Sequence, residues 1–195
     1  MNRRFDGDGG QTLGLYIVAV AALFFLAFAY FAVGQAASVR NTAQTAADAS
    51  ALAAAREVRD SVREAFLDAL EAGDLDRLRH LLALNGMTPG NACGAAANYA
   101  GQNSAVVDEC NAVGPGGATV ALHTSGTVGE SVVPGTESMH ASATATAVVE
   151  SRCAVDDKDG DAITFICDGD EMRVDPTAGD FDLNLAEFFS VHLSE

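Results

Sequence analysis

Positive charge is scarce in this sequence. Its 195 residues contain one lysine, Lys158, and only 11 Lys and Arg in total against 27 Asp and Glu, which gives a formal net charge of −16. Proteins hold the phosphates of nucleic acids mainly through Lys and Arg. This composition therefore excludes nucleic acid as a partner.

Recognisable catalytic motifs are also missing. None of the histidines has a Ser, Cys or Asp beside it in a nucleophile motif. They stand far apart, at His80, His123, His140 and His192. Residues 114–117, Gly-Pro-Gly-Gly, lack the Lys-Ser/Thr pair of a phosphate-binding loop and predict a turn. We expect no enzymatic activity and no cofactor.

The acidic residues 156–161 do not match a calcium-binding loop. In the EF-hand register that puts Gly160 sixth, Val155 stands at the first ligand position and Ile166 at the twelfth, where Asp and Glu are needed. A looser cation site that includes Asp156 stays open, but we favour an acidic hairpin turn. The cysteines are too widely spaced for a zinc site, so no metal is expected.

One long stretch has no charged residue at all, from Asp8 to Arg40. Within it, residues 13–33 read LGLYIVAVAALFFLAFAYFAV. A helix needs about 20 apolar residues to cross a hydrocarbon core of roughly 30 Å, and this run provides them. Twelve of its residues are Leu, Ile, Val or Phe, which favour insertion by about 4 to 7 kcal/mol. The run predicts a transmembrane helix in a single-pass protein of the cell membrane.

The flanking charges predict the orientation of this helix. Arg3 and Arg4 precede it and only Arg40 follows closely, so the N-terminus is expected in the cytoplasm and the C-terminal region outside. A cleaved secretory signal is the alternative, with a cleavage site near residues 34–38. Against it, the apolar run is too long for a signal peptide, and the sequence beyond continues as helix.

Helix is predicted far beyond the apolar run. No proline or glycine lies between Gly34 and Gly73, and alanine, the best helix former, is abundant there. An unbroken helix over residues 13–72 would be about 90 Å long. Gly73 is expected to end it, and Asp74 to cap a short second helix that ends at residues 85–86.

Small residues recur along one face of this helix at steps of three and four. Such spacing resembles a coiled-coil seam, and small side chains let another helix approach closely. We interpret it as a helix-packing seam for a neighbouring subunit, with a solvated stalk as the alternative. The seam consists of Ala36, Val39, Ala43, Ala46, Ser50 and Ala53. A larger apolar stripe follows and predicts packing on the globular head: Val58, Val62, Phe66, Ala69 and Leu70.

The cysteines all follow the apolar run, on the side predicted to be oxidising. They are Cys93, Cys110, Cys153 and Cys167. An even number there predicts two disulfide bonds. We favour Cys93 with Cys110 and Cys153 with Cys167, because each pair brackets a plausible loop, although the sequence leaves three pairings open.

Strand patterns begin after residue 117. Residues 118–124, 142–150 and 161–167 alternate between apolar and small or polar positions. Residues 183–193 predict either a final strand or a short helix. These segments predict a small, mostly antiparallel sheet that packs against the end of the long helix.

The intervening segments carry weaker signals. Residues 87–118 are expected to form an irregular loop, within which residues 105–109 form a weak helix or strand. Residues 129–135 predict an exposed loop with an apolar tip.

Together these patterns predict an α+β fold. An N-terminal transmembrane helix continues into a long Ala-rich helix, and a small disulfide-bonded β head follows. The expected division is a cytoplasmic leader (1–10), a transmembrane helix (11–37), a helical stalk with a short second helix (38–85) and an extracytoplasmic head (86–195).

The N-terminal region resembles a known family. A glycine-ending leader is followed by Gly10-Gln11-Thr12-Leu13, the apolar run and QAASVRNTAQTAADASALAAAREV, of which QTAADASALAAA at residues 44–55 is the most specific part. Over residues 7–58 this is similar to the TadE/TadG-like proteins of Flp (tight adherence) pilus assembly. The rest of the chain is only loosely similar to the small β-containing ectodomains of that family.

The resemblance implies a minor-pilin-like, non-catalytic protein that lies in a lipid bilayer and packs against other pilin-like or Tad secretion-system subunits. Pilin-like members are cut after a glycine and carry glutamate fifth and often tyrosine sixth in the mature chain. Counted from Gly10, these places hold Leu15 and Tyr16. Without the glutamate, the uncut TadG-like form is favoured.

A second functional class remains open at the level of sequence. From Glu150 to Glu195 the chain has 13 acidic residues and three basic ones. A membrane-anchored extracytoplasmic module that binds a cation or a basic surface through this acidic head is therefore the alternative to an assembly component.

Overall fold

The computed structural model describes residues 11–127 and 138–194. The expected leader and the loop expected at residues 129–135 lie outside these ranges. The described residues form five helices: α1 (Gln11–Asp60), α2 (Arg63–Ala72), α3 (Leu75–Leu82), α4 (Ala92–Gln102) and α5 (Leu185–Phe188).

Seven strands form two antiparallel sheets in the described part of the chain. They are β1 (Ala105–Val113), β2 (Gly117–Thr127), β3 (His140–Ser151), β4 (Cys153–Asp159), β5 (Ala162–Cys167), β6 (Asp170–Val174) and β7 (Phe189–Leu193). The four-stranded sheet has the order β1-β2-β3-β7, and the three-stranded sheet has the order β4-β5-β6. The predicted α+β class is confirmed, including the three segments expected to be strands.

The C-terminal half of α1 lies at the centre of the folded part of the chain. This part begins at Ala43, well before the head expected at residues 86–195, and it is called the head from here on. This half of α1 packs against β2, β3, β7 and α4. Alanine lines both sides of this contact, because Ala46 and Ala54 on α1 are buried, as are Ala145 and Ala147 on β3. Small side chains allow a helix and a sheet to approach closely, which explains why an Ala-rich helix is buried here.

The long helix does not continue unbroken to residue 72. It ends at Asp60, and α2 begins at Arg63. The Ser61 hydroxyl donates a hydrogen bond of 2.6 Å to the Val58 carbonyl and accepts one of 3.1 Å from the Thr88 backbone N–H. The apolar stripe predicted to face the head is nevertheless buried on both sides of the break, from Val58 to Leu70.

Gly73 ends α2, as the sequence predicts. It has the left-handed φ of 62°, and its N–H bonds to the Leu70 carbonyl at 3.0 Å. Asp74 then caps α3, because its side chain accepts a 3.0 Å hydrogen bond from the Arg77 N–H. These two residues therefore form the turn that joins α2 to α3.

We expect Gly73→Ala to lower the free energy of unfolding by about 1 to 2 kcal/mol, because a residue with a Cβ is strained at this φ. The new Cβ would also lie 1.7 Å from the Nζ atom of Lys158, which must then move. Urea unfolding of the full chain in detergent measures the change.

The double variant Gly73→Ala/Lys158→Ala separates the two causes, since it removes the clash and keeps the strained φ. Gly101→Ala is the matched control, because nothing lies within 4 Å of its Cβ position and no left-handed φ is involved. Equal stability of Gly73→Ala and the unmodified chain would contradict the prediction.

Four phenylalanines join the three-stranded sheet to the rest of the head. Phe66 of α2 lies 4.8 Å from Phe188 and 6.0 Å from Phe189 between ring centroids, and Phe165 of β5 lies 5.1 Å from Phe188. All four rings are essentially buried. This cluster, the Phe cluster below, therefore connects α2, β5, α5 and β7.

The expectation of an irregular loop at residues 87–118 is wrong. The segment contains α4, which was not predicted, and β1, which includes the weak helix or strand expected at residues 105–109 and extends to Val113. Ala92, Ala96 and Ala100 lie four residues apart and form the buried stripe of α4. The helical pattern is weakened in the sequence by Gly94 and Gly101 within α4 and by Pro89-Gly90 just before it. The spacing of the alanines was nevertheless a usable signal for a helix.

Two further strands carry no clear sequence signal. In β4 only Cys153 is buried, and in β6 no residue is. They form because each pairs with the apolar strand β5, which lies between them. At the C-terminus both alternatives hold, since α5 is followed directly by β7.

Candidate membrane and assembly surface

The N-terminal half of α1 exposes a continuous apolar surface. Its large side chains from Leu13 to Val33 are exposed by between 47% for Val20 and 84% for Tyr30. Within the described residues, α1 provides one helix that is long and apolar enough to cross a membrane, and none of its most apolar window is buried by the protein. Such a surface requires an apolar environment from outside the chain.

The same helix passes from this exposed surface into the head without interruption. Gly34 lies within α1, Ala36 is exposed, Val39 is half-buried, and Ala43 is completely buried. At 1.5 Å per residue, residues 13–33 extend about 30 Å and residues 34–42 about another 14 Å. The head therefore begins a short distance beyond the apolar segment.

The predicted helix-packing seam divides at this boundary. Ala43, Ala46, Ser50 and Ala53 are buried within the head, where α1 contacts the four-stranded sheet and α4 of its own chain. Ala36 stays exposed, and Val39 is half-buried. The four deeper positions are thus covered by the protein itself, and only the first two are accessible to another molecule.

Ser50 is the polar member of the buried part of this seam. Its Oγ atom has no hydrogen-bond partner in the part of the chain that the structure describes. A buried hydroxyl without a partner lowers stability. The hydroxyl of Ser50 therefore does not stabilise the fold, and what suits this position is the small size of the side chain.

Both favoured disulfide bonds are present in the structure. Cys93–Cys110 joins α4 to β1, with 5.8 Å between the Cα atoms. Cys153–Cys167 joins the first residue of β4 to the last residue of β5, which are direct partners in the sheet. The first bond fixes the helix that covers α1, and the second closes the β4–β5 hairpin.

The histidines do not assemble a catalytic or metal site in the described ranges. His123 Nδ1 lies 2.7 Å from Asp108 Oδ1, and the His140 ring packs edge-on against His123 at 5.4 Å. His192 Nε2 lies 3.7 Å from Glu150 Oε1, and His80 is exposed. Across residues 11–127 and 138–194 no three His, Cys, Asp or Glu side chains group as metal ligands.

The acidic residues 156–161 form the end of β4 and the hairpin turn to β5, as favoured from the sequence. Gly160 has a φ of 64° at the turn between β4 and β5, and Asp159 forms an ion pair with Arg173 of β6 at 3.4 Å. Further along, the hydroxyl and the backbone N–H of Thr177 hydrogen-bond to Asp175 and hold the pKa of its carboxyl below the usual value. These contacts stabilise turns and leave the acidic side chains in solvent.

A long apolar helix half that the protein leaves uncovered, joined to a folded and disulfide-bonded head, is the architecture of a single-pass membrane protein. The family described as "Putative Flp pilus-assembly TadE/G-like" matches the chain over residues 10–57. That match spans both the exposed half of α1 and most of its buried half. No curated protein and no solved structure matches the chain significantly.

The family match confirms the resemblance seen in the sequence. Together with the candidate membrane helix, this match over residues 10–57 supports a membrane component of the pilus-assembly type. The head beyond residue 57 lies outside the match.

Proposed function

We propose that this protein is a minor-pilin-like structural or assembly component of a Flp/Tad-type pilus or a related envelope complex, with no catalysis of its own. The observation that carries the proposal is the continuity of α1. One helix provides an uncovered apolar segment of membrane length and also the central helix of the head. The family match covers this junction.

In this proposal residues 11–37 cross the membrane, residues 1–10 lie in the cytoplasm, and the head lies outside. The positive-inside rule supports this orientation through Arg3 and Arg4. The two disulfide bonds support it independently, since disulfides persist in oxidising compartments.

The partners in this proposal are the lipid bilayer and the helices of other pilin-like or Tad secretion-system subunits. The buried part of the seam is already occupied by the head, so these contacts must use α1 before Ala43. Ala29, Ala32 and Ala36 continue the three-and-four spacing of the seam toward the N-terminus. Small residues at this spacing favour close helix packing inside a membrane.

Crosslinking in cells tests this packing. Ala36→Cys places a thiol on the seam face. We expect a maleimide–benzophenone reagent attached to that thiol to link it, on irradiation, to a neighbouring membrane protein through a C–H bond of that neighbour. Ser38→Cys is the matched control, because Ser38 is also exposed but lies about 200° around the helix from Ala36. Crosslinks of equal yield at both positions, or at neither, would contradict packing through this face.

A further inference from the structure

The strands of the four-stranded sheet run along α1, and two sets of contacts give their direction. Near the start of the head, Leu193 of β7 lines a shallow cavity with Gln44 and Asp48 of α1. Earlier in β7, Phe189 lies 6.0 Å from Phe66 of α2, which follows the end of α1. β7 therefore runs against the direction of α1, and β3, which is antiparallel to β7, runs with it.

The start of β3 consequently lies near the apolar segment. Thr144 and Thr146 of β3 line the same cavity on α1. From the middle of this pair back to His140, the strand extends about 16 Å toward the N-terminus of α1. This length corresponds to about 8 to 11 residues of α1, depending on the angle between strand and helix. His140 is therefore level with residues 35–38, just beyond Val33.

This level coincides with the headgroup layer of a bilayer that contains the apolar segment. The hydrocarbon core is about 30 Å thick, and the headgroup regions add about 5 to 8 Å on each side. Residues 13–33 have the length of the core, and residues 35–38 lie about 3 to 8 Å beyond it. In a helix that crosses the membrane, as proposed above, the end of β2 and the start of β3 therefore reach the headgroups.

We call this part of the head the proximal end. It consists of residues 34–42 of α1, Val106 of β1, residues 123–127 of β2 and residues 138–142 with the start of β3. Arg40 is the one Asp, Glu, Lys or Arg among these described residues. The connecting residues 128–137, which contain two glutamates, lie outside the described ranges and are not included.

Two exposed apolar side chains belong to the proximal end. Val106 is 49% exposed and Met139 is 55% exposed. Val106 is the sheet partner of His123, whose Nδ1 lies 2.7 Å from Oδ1 of Asp108 and whose ring packs against His140. An imidazole ring has an apolar body and a polar tip, so it suits a layer where apolar and polar groups meet. Apolar side chains enter the same layer at its boundary with the acyl chains.

The densest negative charge of the head lies at its other end. Residues 153–174, which include the three-stranded sheet, contain seven acidic and two basic residues. Phe165 of this sheet contacts Phe188, which contacts Phe66 of α2, so the sheet lies near the end of α1 that is farther from the apolar segment. Anionic lipids repel carboxylates, and this arrangement keeps most of them away from the bilayer.

We propose that the proximal end of the head contacts the lipid headgroups of the bilayer that α1 crosses. The proposal rests on the membrane anchoring proposed above. Its main support is continuity, because α1 passes from the apolar segment into the head as one helix without a linker. The contact gives the head a second attachment to the membrane and limits its tilt about the end of the apolar segment.

Fluorophores on single cysteines measure this contact. All four native cysteines are in disulfide bonds, so an introduced cysteine provides the free thiol. The full chain is reconstituted in phosphatidylcholine and phosphatidylglycerol vesicles that contain a lipid with a nitroxide on its headgroup. We expect the nitroxide to quench a fluorophore at Val106→Cys and at Met139→Cys several-fold more strongly than one at Val113→Cys.

Val113→Cys is the matched control for these two positions. Val113 is also an exposed valine of β1, and it lies about 23 Å along the strand from Val106, away from the membrane. Far-UV circular dichroism verifies that each labelled variant is folded. Stronger quenching at Met139→Cys or Val106→Cys alone supports a contact limited to that strand.

A fluorophore at Leu23→Cys, in the middle of the apolar segment, reports on the anchoring itself through a lipid with a nitroxide on its acyl chain. Quenching there, with headgroup quenching at Val106→Cys and Met139→Cys no stronger than at Val113→Cys, would overturn the proposal and leave the anchoring intact. Shielding of both positions from aqueous iodide without quenching by the lipid would indicate a second copy of the chain there, and would also overturn it. Absence of quenching at Leu23→Cys would overturn the anchoring and this proposal with it.

Discussion

Phe66→Ala is expected to lower the free energy of unfolding by about 3 to 5 kcal/mol, the cost typical of deleting a buried aromatic ring. Phe66 is completely buried and contacts Phe188 and Phe189 in the Phe cluster. Its removal leaves a cavity where α2, α5 and β7 meet. Urea unfolding of the full chain in detergent, monitored by circular dichroism, measures the loss.

Leu67→Ala is the matched control for this substitution. Leu67 is the next residue of the same helix and is only half-buried, beside the segment that contains Phe181. A loss well under half that of Phe66→Ala is expected, since less apolar area leaves water there. Comparable losses of unfolding free energy for the two variants would show that the Phe cluster has no special role in joining the three-stranded sheet to the rest of the head.

The second large effect is expected in the membrane segment. Val20→Arg combined with Phe24→Arg places two charges near the middle of residues 13–33. Each arginine at a helix centre opposes insertion by about 2.5 to 3.5 kcal/mol, so the pair cancels most or all of the 4 to 7 kcal/mol or so that favours insertion. We expect the variant to leave the membrane fraction after alkaline carbonate extraction.

The control for this experiment is Val20→Leu with Phe24→Leu, which changes the same positions and keeps them apolar. It should remain in the membrane fraction like the unmodified chain. The α1 segment in question is not buried by the head, so neither pair of substitutions removes an internal contact. Full retention of the double-arginine variant would mean that residues 13–33 do not hold the protein in the bilayer.

Local chemistry explains which parts of the fold the sequence predicted. Gly73 and Asp74 are specified by their own backbone requirements, so the turn between α2 and α3 was predictable from two residues. The strands that alternate clearly, β2 and β3, each bury one face against α1, and that burial is what creates the pattern. The cysteine pairs follow from short separations along the chain.

The missed features depend on tertiary contacts instead. The break at Ser61 is associated with Thr88, 27 positions away, whose N–H bonds to the Ser61 hydroxyl. The strands β4 and β6 owe their conformation to β5 between them. The alanine seam was visible, but its spacing alone does not distinguish a foreign helix from the protein's own sheet and α4. Residues with small side chains suit either partner.

The absence of a joint between the apolar segment and the head has a geometric consequence. Because α1 is one helix from Gln11 to Asp60, the rotation of the head about the helix axis is fixed relative to the apolar segment. Adding or deleting one residue between Val33 and Ala43 would turn the head by about 100° and shift it by about 1.5 Å. Contacts that the apolar segment forms in the bilayer therefore determine the direction in which each surface of the head faces.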